Sequence, residues 1–190
     1  LSLQRTSTSI DQTQTRLSTG LRVSSAIDDA AAFFTARAFD NRASDLESLK
    51  SNIDLAISTI QAAIDGIDAI TDIVQQAKGI ASAAKATGDT NERSTLAVQF
   101  NELLSQINSI ANDSTFNGLN LLQASPDNLA VEFNEDNTSN LTITGLDATT
   151  ATSGINIAVA ANNFGLNANI DTALTSISSA LTTLRSNAST

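Results

Sequence analysis

The chain has 190 residues and a formal net charge of −10 at pH 7, which argues against nucleic-acid binding because no excess of basic side chains can neutralise phosphates. Cys, His and Tyr are absent, so disulfides, thiolate metal sites and serine–histidine nucleophiles are excluded. No apolar run approaches the roughly 18 residues of a membrane span, and the acidic charge disfavours anionic membrane surfaces. A catalytic pair of carboxylates stays conceivable, but the acidic residues are spread along helix faces, so we predict no catalytic site, no metal site and no cofactor.

The first segment, residues 1–18, predicts a helix that leans on a partner. Its apolar residues Leu3, Ile10 and Leu17 recur every seven positions, and one apolar residue per heptad is too little to fold alone. The pattern breaks at Gly20, a residue that commonly ends helices.

A second helix is predicted to start after this break. Ser25 and Asp28 stand three residues apart, the spacing of a capping box in which Ser25 caps the helix and Asp28 reaches back. We therefore expect replacement of Ser25 by Ala to destabilise the protein by roughly 0.5–2 kcal/mol. Asp28 and Asp29 also favour the positive end of the helix dipole.

From Asp28 to about Ala86 there is no proline, and apolar residues recur with a mean period of 3.5 residues. This heptad pattern is typical of a helix packed along its length against other helices. The stripe consists of Phe39, Ala43, Leu46, Leu49, Ile53, Ile57, Ile60, Ile64, Ile67, Ile70, Val74, Ala77 and Ala81. A helix roughly 90 Å long predicts a rod; the alternative is two shorter helices broken near Gly66 or Gly79.

Residues 16–31, RLSTGLRVSSAIDDAA, resemble the N-terminal segment of bacterial flagellins. In that family the segment connects an inner terminal helix to an outer helical bundle. The resemblance implies a subunit-contact role for Arg16, Leu17, Gly20, Leu21, Arg22, Asp28 and Asp29. Helix capping alone would also explain the two aspartates, and both readings stay open.

The next elements are predicted from turn signals and a second stripe. Residues 85–90 form a turn in which Gly88 can take a positive φ. A helix follows from about Asn91 to Asn112, and its heptad stripe can fold back antiparallel onto the long helix. The stripe consists of Leu96, Phe100, Leu103, Ile107 and Ile110. Asn117-Gly118 then predicts a tight turn, similar to the flagellin turn that leads into a β-hairpin.

Period-two alternation predicts strands between Asn120 and Ala160. The alternating residues are Leu129, Val131 and Phe133, then Leu141 and Ile143, then Ile155, Ile157 and Val159. We expect one or two small hairpins here, so that the large outer domains of many flagellins are absent or vestigial.

The heptad resumes from about Asn169 with Ile170, Leu174, Ile177, Leu181, Leu184 and Ala188. The expected fold class is mainly α, an elongated antiparallel helical bundle with one or two β-hairpins. The expected division is a helix end and connector at 1–27, two long helices at 28–118, a hairpin region at 119–163 and a last helix at 164–190.

The resemblance implies a structural subunit of the flagellar filament, exported without a cleaved signal peptide to the extracellular flagellum. The implied partners are other flagellin subunits, the flagellar export machinery and a chaperone. Both termini look truncated, so this chain alone is expected to stay monomeric or weakly oligomeric. Alternatives are a hook–filament junction protein, or a secreted helical-bundle adhesin or carboxylate enzyme. The acidic residues that an enzyme would use are expected to form a solvated face: Asp45, Glu47, Asp54, Asp65, Asp68 and Asp72.

Many flagellins are bound by the host Toll-like receptor 5 through a run resembling R-V-R-E-L-A-V-Q. Aligned from the turn at Asn117, that run falls on residues 72–79, DIVQQAKG. Asp72 replaces the first arginine, Gln75 the glutamate and Gln76 the leucine, while Gln99 stands where the family usually has an acid. The resemblance therefore implies weak or no activation of this receptor.

Overall fold

The computed structural model describes residues 2–188, which form four α-helices and two short hairpins. The helices are α1 (Ser2–Thr19), α2 (Ala30–Ala86), α3 (Thr90–Asp113) and α4 (Asn167–Ala188), and the strands are β1 (Thr115–Phe116), β2 (Leu119–Asn120), β3 (Asn128–Glu132) and β4 (Asn140–Thr144). The predicted class, a mainly α helical bundle with small hairpins, is confirmed.

The long helix α2 runs unbroken for 57 residues, or about 85 Å at 1.5 Å per residue. It passes through Gly66 and Gly79 without interruption, so the alternative of two shorter helices is wrong. The chain exposes 11649 Å² of surface, whereas a compact protein of this mass would expose about 8,600 Å². The molecule is therefore elongated, as the heptad stripe predicts.

The predicted start of α2 is wrong by a few residues. The N-cap is Asp29, whose Oδ1 accepts a 3.0 Å hydrogen bond from the amide of Ala32. Ser25 lies in a turn before the helix, where the amide of Asp28 donates to the Ser25 carbonyl. Only the reaching-back half of the capping box is present, since the amide of Ser25 donates to Asp28 Oδ2. An Asp that directly precedes the helix supplies a better-placed acceptor than Ser25.

The second bundle helix, α3, packs on the C-terminal half of α2, and its predicted existence and extent are confirmed. The loop between them does not use Gly88 in a positive-φ conformation, contrary to the sequence prediction. Instead, Asp89 caps α3 by accepting from the amides of Asn91 and Glu92. At the other end of α3, Ser114 lies against Gly66 of α2, so the two helices run antiparallel.

The last helix, α4, also packs on α2, and Lys85 near the end of α2 forms an ion pair with Asp171 near the start of α4. Its predicted heptad is largely buried, although Leu174 is half-buried and Ala188 is exposed. Before α4, the chain makes a left-handed turn through Asn162, Asn163 and Phe164, with φ angles of 49°, 50° and 57°. This turn places the fully buried Phe164 ring against Phe100 of α3, with centroids 5.2 Å apart.

Among residues 2–188, the structure contains two antiparallel hairpins, in agreement with the expectation of one or two. Asn117 and Gly118, with φ of 50° and 80°, connect β1 to β2. In the second hairpin, Leu129 pairs with Ile143 and Val131 pairs with Leu141.

The third alternating segment is not a strand, so the prediction for Ile155, Ile157 and Val159 is wrong. Ile155 and Ile157 are buried, but the segment has no neighbouring strand. Side chains of the helices take the place of a strand, because the amide of Ala160 donates to Asn101 Oδ1 and the amide of Ala158 donates to Ser176 Oγ.

The core lies around the C-terminal two thirds of the chain. Buried hydrophobic residues begin at Ala56, and none of residues 2–55 is buried. The stripe was predicted to be packed along its whole length, yet Phe39, Leu46 and Ile57 are 66%, 46% and 58% exposed. The stripe of α2 is therefore covered by the rest of this chain only over its second half.

Candidate functional site

The connector, which we define as residues 20–29, joins α1 to α2 and contains most of the predicted subunit-contact residues. Gly20 ends α1 with φ of +69°, and its amide donates to the carbonyl of Arg16 at 2.9 Å. A residue with a Cβ would be strained in this conformation. Glycine thus allows the chain to turn away from α1 directly after its last residue.

Asp28 organises the second part of the connector. Its Oδ2 accepts hydrogen bonds from the Ser24 hydroxyl at 3.0 Å and from the amides of Ser24 and Ser25 at 3.3 Å. The Ser24 hydroxyl hydrogen bond, followed by the amide bonds and the charge of Arg16, lowers the pKa of the Asp28 carboxyl. The Asp28 side chain is therefore favoured in its ionised form. It binds Ser24 and Ser25 of the connector and lies close to Arg16 on α1.

A shallow polar groove results where the connector lies beside α1. It is lined by Thr8, Asp11, Gln12, Thr15, Arg16, Ser24, Ser25 and Asp28. The structure thus brings Arg16 and Asp28 together, whereas Asp29 is used to cap α2.

The apolar members of the predicted site are exposed in this chain. Leu17 is 85% exposed and Leu21 is 58% exposed. They belong to a larger group that we call the N-terminal apolar set, the exposed large apolar side chains before Ala56: Leu3, Ile10, Leu17, Leu21, Ile27, Phe34, Phe39, Leu46 and Leu55. On helical segments with no buried residue, such a set is typical of an interface rather than of a core.

Sequence reasoning missed the aromatic cluster at the start of α2. Phe33 and Phe34 meet edge to face with centroids 5.6 Å apart, and the Arg37 guanidinium lies 5.8 Å from the centre of the Phe33 ring. It also missed the 2.9 Å ion pair between Arg42 Nε and Glu135 Oε1, which ties the second hairpin to α2. The adjacent Phe33 and Phe34 were a signal, because the chain has only seven Phe.

The proposed receptor-contact residues lie away from the connector, on the packed half of the bundle. Asp72, Gln75 and Gln76 are exposed on α2, and Gln99 is exposed on α3. The neighbouring Ile73 and Val74 are buried. The antiparallel packing places Gln99 alongside the C-terminal end of the run 72–79, so the four polar side chains are available on the bundle surface.

Three properties of the described part of the chain bear on catalysis, metal binding and membrane contact: its acidic residues, its metal-ligand groups and the hydropathy of its helices. The six acidic residues predicted to form a solvated face are all exposed, which confirms that prediction. Within residues 2–188, no group of three Asp or Glu side chains is arranged to hold a metal ion. In the same residues, no helix has both the length and the apolar character needed to cross a membrane.

Comparison with solved structures gives the fold. The crystal structure of Bacillus cereus flagellin matches with a TM-score of 0.62 over 74% of this chain and 80% of that chain, at 16% sequence identity. At this identity the likeness concerns the fold alone.

Comparison with sequences gives the family. Residues 1–127 match the model of the bacterial flagellin N-terminal helical region. Flagellin FljO of Caulobacter vibrioides is 30% identical over 189 residues, covering 96% of this chain and 68% of FljO. The flagellin of Aquifex aeolicus is 30% identical over 143 residues, which are 75% of this chain but 28% of that protein. The model match includes α1, the connector, α2 and α3, and the chain therefore belongs to the bacterial flagellin family.

Proposed function

We propose that the protein is a structural subunit of the bacterial flagellar filament, a helical polymer of identical chains that serves motility. The observation that carries this proposal is that none of residues 2–55 is buried, although they form α1 and almost half of α2. Family membership supports the same role, which requires no catalysis.

The energetics of isolated helices favour a partner for this region. Helices in proteins are stabilised mainly by packing of an apolar face, and α1 has no buried residue at all. Burying one large apolar side chain contributes about 1.5–3 kcal/mol. Covering several members of the N-terminal apolar set would therefore stabilise both the helices and the complex.

Other copies of the same chain are the partners we propose. A contact between unlike surfaces of identical chains need not close, and it then generates an open helical polymer. The proposed subunit contacts lie at the end of α1 and in the connector: Arg16, Leu17, Gly20, Leu21, Arg22, Asp28 and Asp29. The connector sets the direction of α1 relative to α2 and so decides which surfaces meet.

The family also suggests where the protein acts and how it arrives there. We infer that it is extracellular in the flagellum and is exported without a cleaved signal peptide. On that route the flagellar export machinery and a chaperone would bind it before assembly. No cofactor is required for any of these steps.

Assembly of the protein into filaments tests the proposal. Phe39→Asp places a charge in the N-terminal apolar set, and Asn41→Asp adds the same charge two residues further along α2. Loss of one buried phenylalanine contact should raise the critical subunit concentration about tenfold or more. Asn41→Asp should stay near the parental value. Equal assembly of all three proteins, or equal loss in both variants, would contradict the proposal.

The residues at positions 72–79 support a second proposal, which concerns recognition by a host. We infer that the protein activates Toll-like receptor 5 weakly or not at all. Asp72 stands where receptor-binding relatives have an arginine, and Gln76 stands where they have a leucine. Losing a central anchor commonly costs about 2 kcal/mol, so two independent losses would weaken binding by more than about a hundredfold.

A receptor reporter assay on the protein and on the Asp72→Arg, Gln76→Leu double variant tests this inference. The parental protein should give little signal, and the double variant should give more. Because both positions are exposed, the substitutions should leave the fold intact, which a thermal melt checks. Strong signalling by the parental protein would refute the inference, and a gain of signal in the double variant would support the assignment of these two residues.

A further inference from the structure

The turn between β1 and β2 has an unusual combination of sequence and exposure. Asn117 and Gly118 are both exposed and both have positive φ, at 50° and 80°. A Cβ built at Gly118 would meet no atom within 4 Å. The hairpin that they close has only two residue pairs, so local opening disrupts few contacts.

We propose that Asn117 is a site of spontaneous deamidation. The Gly118 amide nitrogen loses its proton and attacks Cγ of Asn117, forming a carbon–nitrogen bond, and the side-chain nitrogen leaves as ammonia. Water then opens the resulting cyclic imide at one of its two carbonyls. The products are an aspartyl or an isoaspartyl residue at position 117, and the net change is one water consumed and one ammonia released.

The identity of the following residue singles out Asn117. It is the one asparagine in the sequence that is followed by glycine, and glycine has no Cβ to hinder attack by its own amide nitrogen. Asn137, Asn156 and Asn163 also have positive φ, but Thr, Ile and Phe follow them. These three asparagines share the positive φ of Asn117 but lack a following glycine. Comparing them with Asn117 therefore separates the effect of the following residue on the deamidation rate from the effect of conformation.

Two other positions show why the local structure matters. Asn108 precedes a small serine, but it lies inside α3 and its Oδ1 accepts hydrogen bonds from the amide and hydroxyl of Thr150. Asp65 precedes Gly66, which could form the same cyclic imide, but both residues lie inside α2. Helical hydrogen bonding keeps the following amide away from the side-chain carbonyl at both places.

Deamidation at Asn117 would affect the junction between the first hairpin and the end of α3. An isoaspartyl link adds one carbon to the backbone, which a two-residue hairpin turn cannot absorb without changing its register. Asn120, at the end of this hairpin, donates to the carbonyls of Ala111 and Asn112 at the end of α3. Conversion therefore loosens the attachment of the hairpin to α3.

Ageing of the protein in water enriched in oxygen-18 tests the proposal. Peptide mapping by mass spectrometry should show an amide replaced by a labelled hydroxyl at position 117 in a larger fraction of molecules than at any other asparagine. Transfer of a labelled methyl group by isoaspartyl methyltransferase should mark the same peptide. Conversion at Asn137, Asn156 or Asn163 at the same rate, or an intact amide at Asn117 throughout, would overturn the assignment.

The Asn117→Gly variant tests the structural consequence. Gly-Gly also suits a two-residue hairpin turn, so the fresh variant should fold normally. After equal ageing, the parental protein should melt at a lower temperature than before, and the variant should keep its midpoint. An unchanged midpoint in fully converted parental protein would overturn the claimed effect on the junction, while a lowered one would support it.

Discussion

Two glycines in α2 have opposite surroundings. A Cβ at Gly66 would collide with the Ser114 hydroxyl and lie 2.7 Å from Leu122 Cδ1, whereas one at Gly79 would meet nothing within 4 Å. Ser114 cannot move freely, because its hydroxyl donates to the carbonyl of Ile110. The sequence does not distinguish the two surroundings, since both glycines lie within the same heptad pattern.

We expect Gly66→Ala to lower the free energy of unfolding by about 1–3 kcal/mol through overpacking. Gly79→Ala should raise it by about 0.4–1 kcal/mol, because alanine has less backbone freedom to lose. Chemical denaturation of both variants measures the difference. Equal effects of the two substitutions would show that α3 does not approach α2 at Gly66.

The Asp28 carboxyl gives the connector a dependence on pH. Its pKa is lowered from the ordinary 3.8, first by the Ser24 hydroxyl hydrogen bond. A lowered folded-state pKa means that the stabilisation is present above pH 3.8 and is lost as the pH falls through the folded-state value. We expect the amide proton shifts of Ser24 and Ser25 to titrate with a midpoint below 3.8.

Nuclear magnetic resonance measures this titration, and Asp28→Asn is the control because it removes the titrating group. A midpoint at or above the ordinary value would contradict the hydrogen-bonding role assigned to Asp28. Disappearance of the transition in Asp28→Asn assigns it to this carboxyl.

At the scale of single elements, helix positions follow from sequence more closely than helix starts. The stripe placed α2 correctly, but the capping-box spacing assigned the cap to Ser25 instead of Asp29. Several residues before this helix can accept an amide hydrogen bond, and only the path of the connector selects among them. The strand prediction for Ile155 and Ile157 was wrong for a related reason. Alternate side chains are buried whenever an extended chain lies on a core, whether or not a neighbouring strand is present.

The cap of α2 is testable by a pair of variants. Asp29→Ala should destabilise the first turn of α2 by about 0.5–2 kcal/mol, while Ser25→Ala should leave the stability of that turn unchanged. Since the start of α2 is not packed, the loss should appear as faster amide exchange over residues 30–34 rather than as a lower melting temperature. Faster exchange in Ser25→Ala than in Asp29→Ala would reverse the assignment.

The first hairpin depends on one buried side chain. Asn120 is 4% exposed, and its Oδ1 accepts from the amides of Leu122 and Gln123 while its Nδ2 donates to two carbonyls at the end of α3. Asn120→Ala leaves buried groups unpaired, each costing about 1–3 kcal/mol, so we expect a clear fall in the denaturation midpoint. The control Asn140→Ala changes an exposed asparagine of β4 and should have little effect. Similar losses of stability in both variants would contradict the claim that the hydrogen bonds of Asn120 hold the first hairpin to α3.

At the scale of the molecule, the heptad stripe and the connector motif were enough to predict a rod and its family. The sequence could not show where the stripe is covered. Ile67 and Val74 are buried under the rest of the chain, but Phe39 and Leu46, with the same spacing, are not. A heptad pattern indicates that one face of a helix is buried in the functional state. It does not indicate whether the residues that bury this face belong to the same chain or to another subunit.

Hydrogen exchange of the protein, free and assembled into filaments, tests the central claim most directly. In free subunits, the amides of residues 66–86 should exchange slowly and those of residues 30–55 should exchange more quickly, because the first group contains buried side chains and the second group contains none. Assembly should slow exchange over residues 30–55 and leave residues 66–86 almost unchanged. Slow exchange over residues 30–55 in free subunits, or equally fast exchange there in filaments, would contradict the claim that other subunits cover this surface.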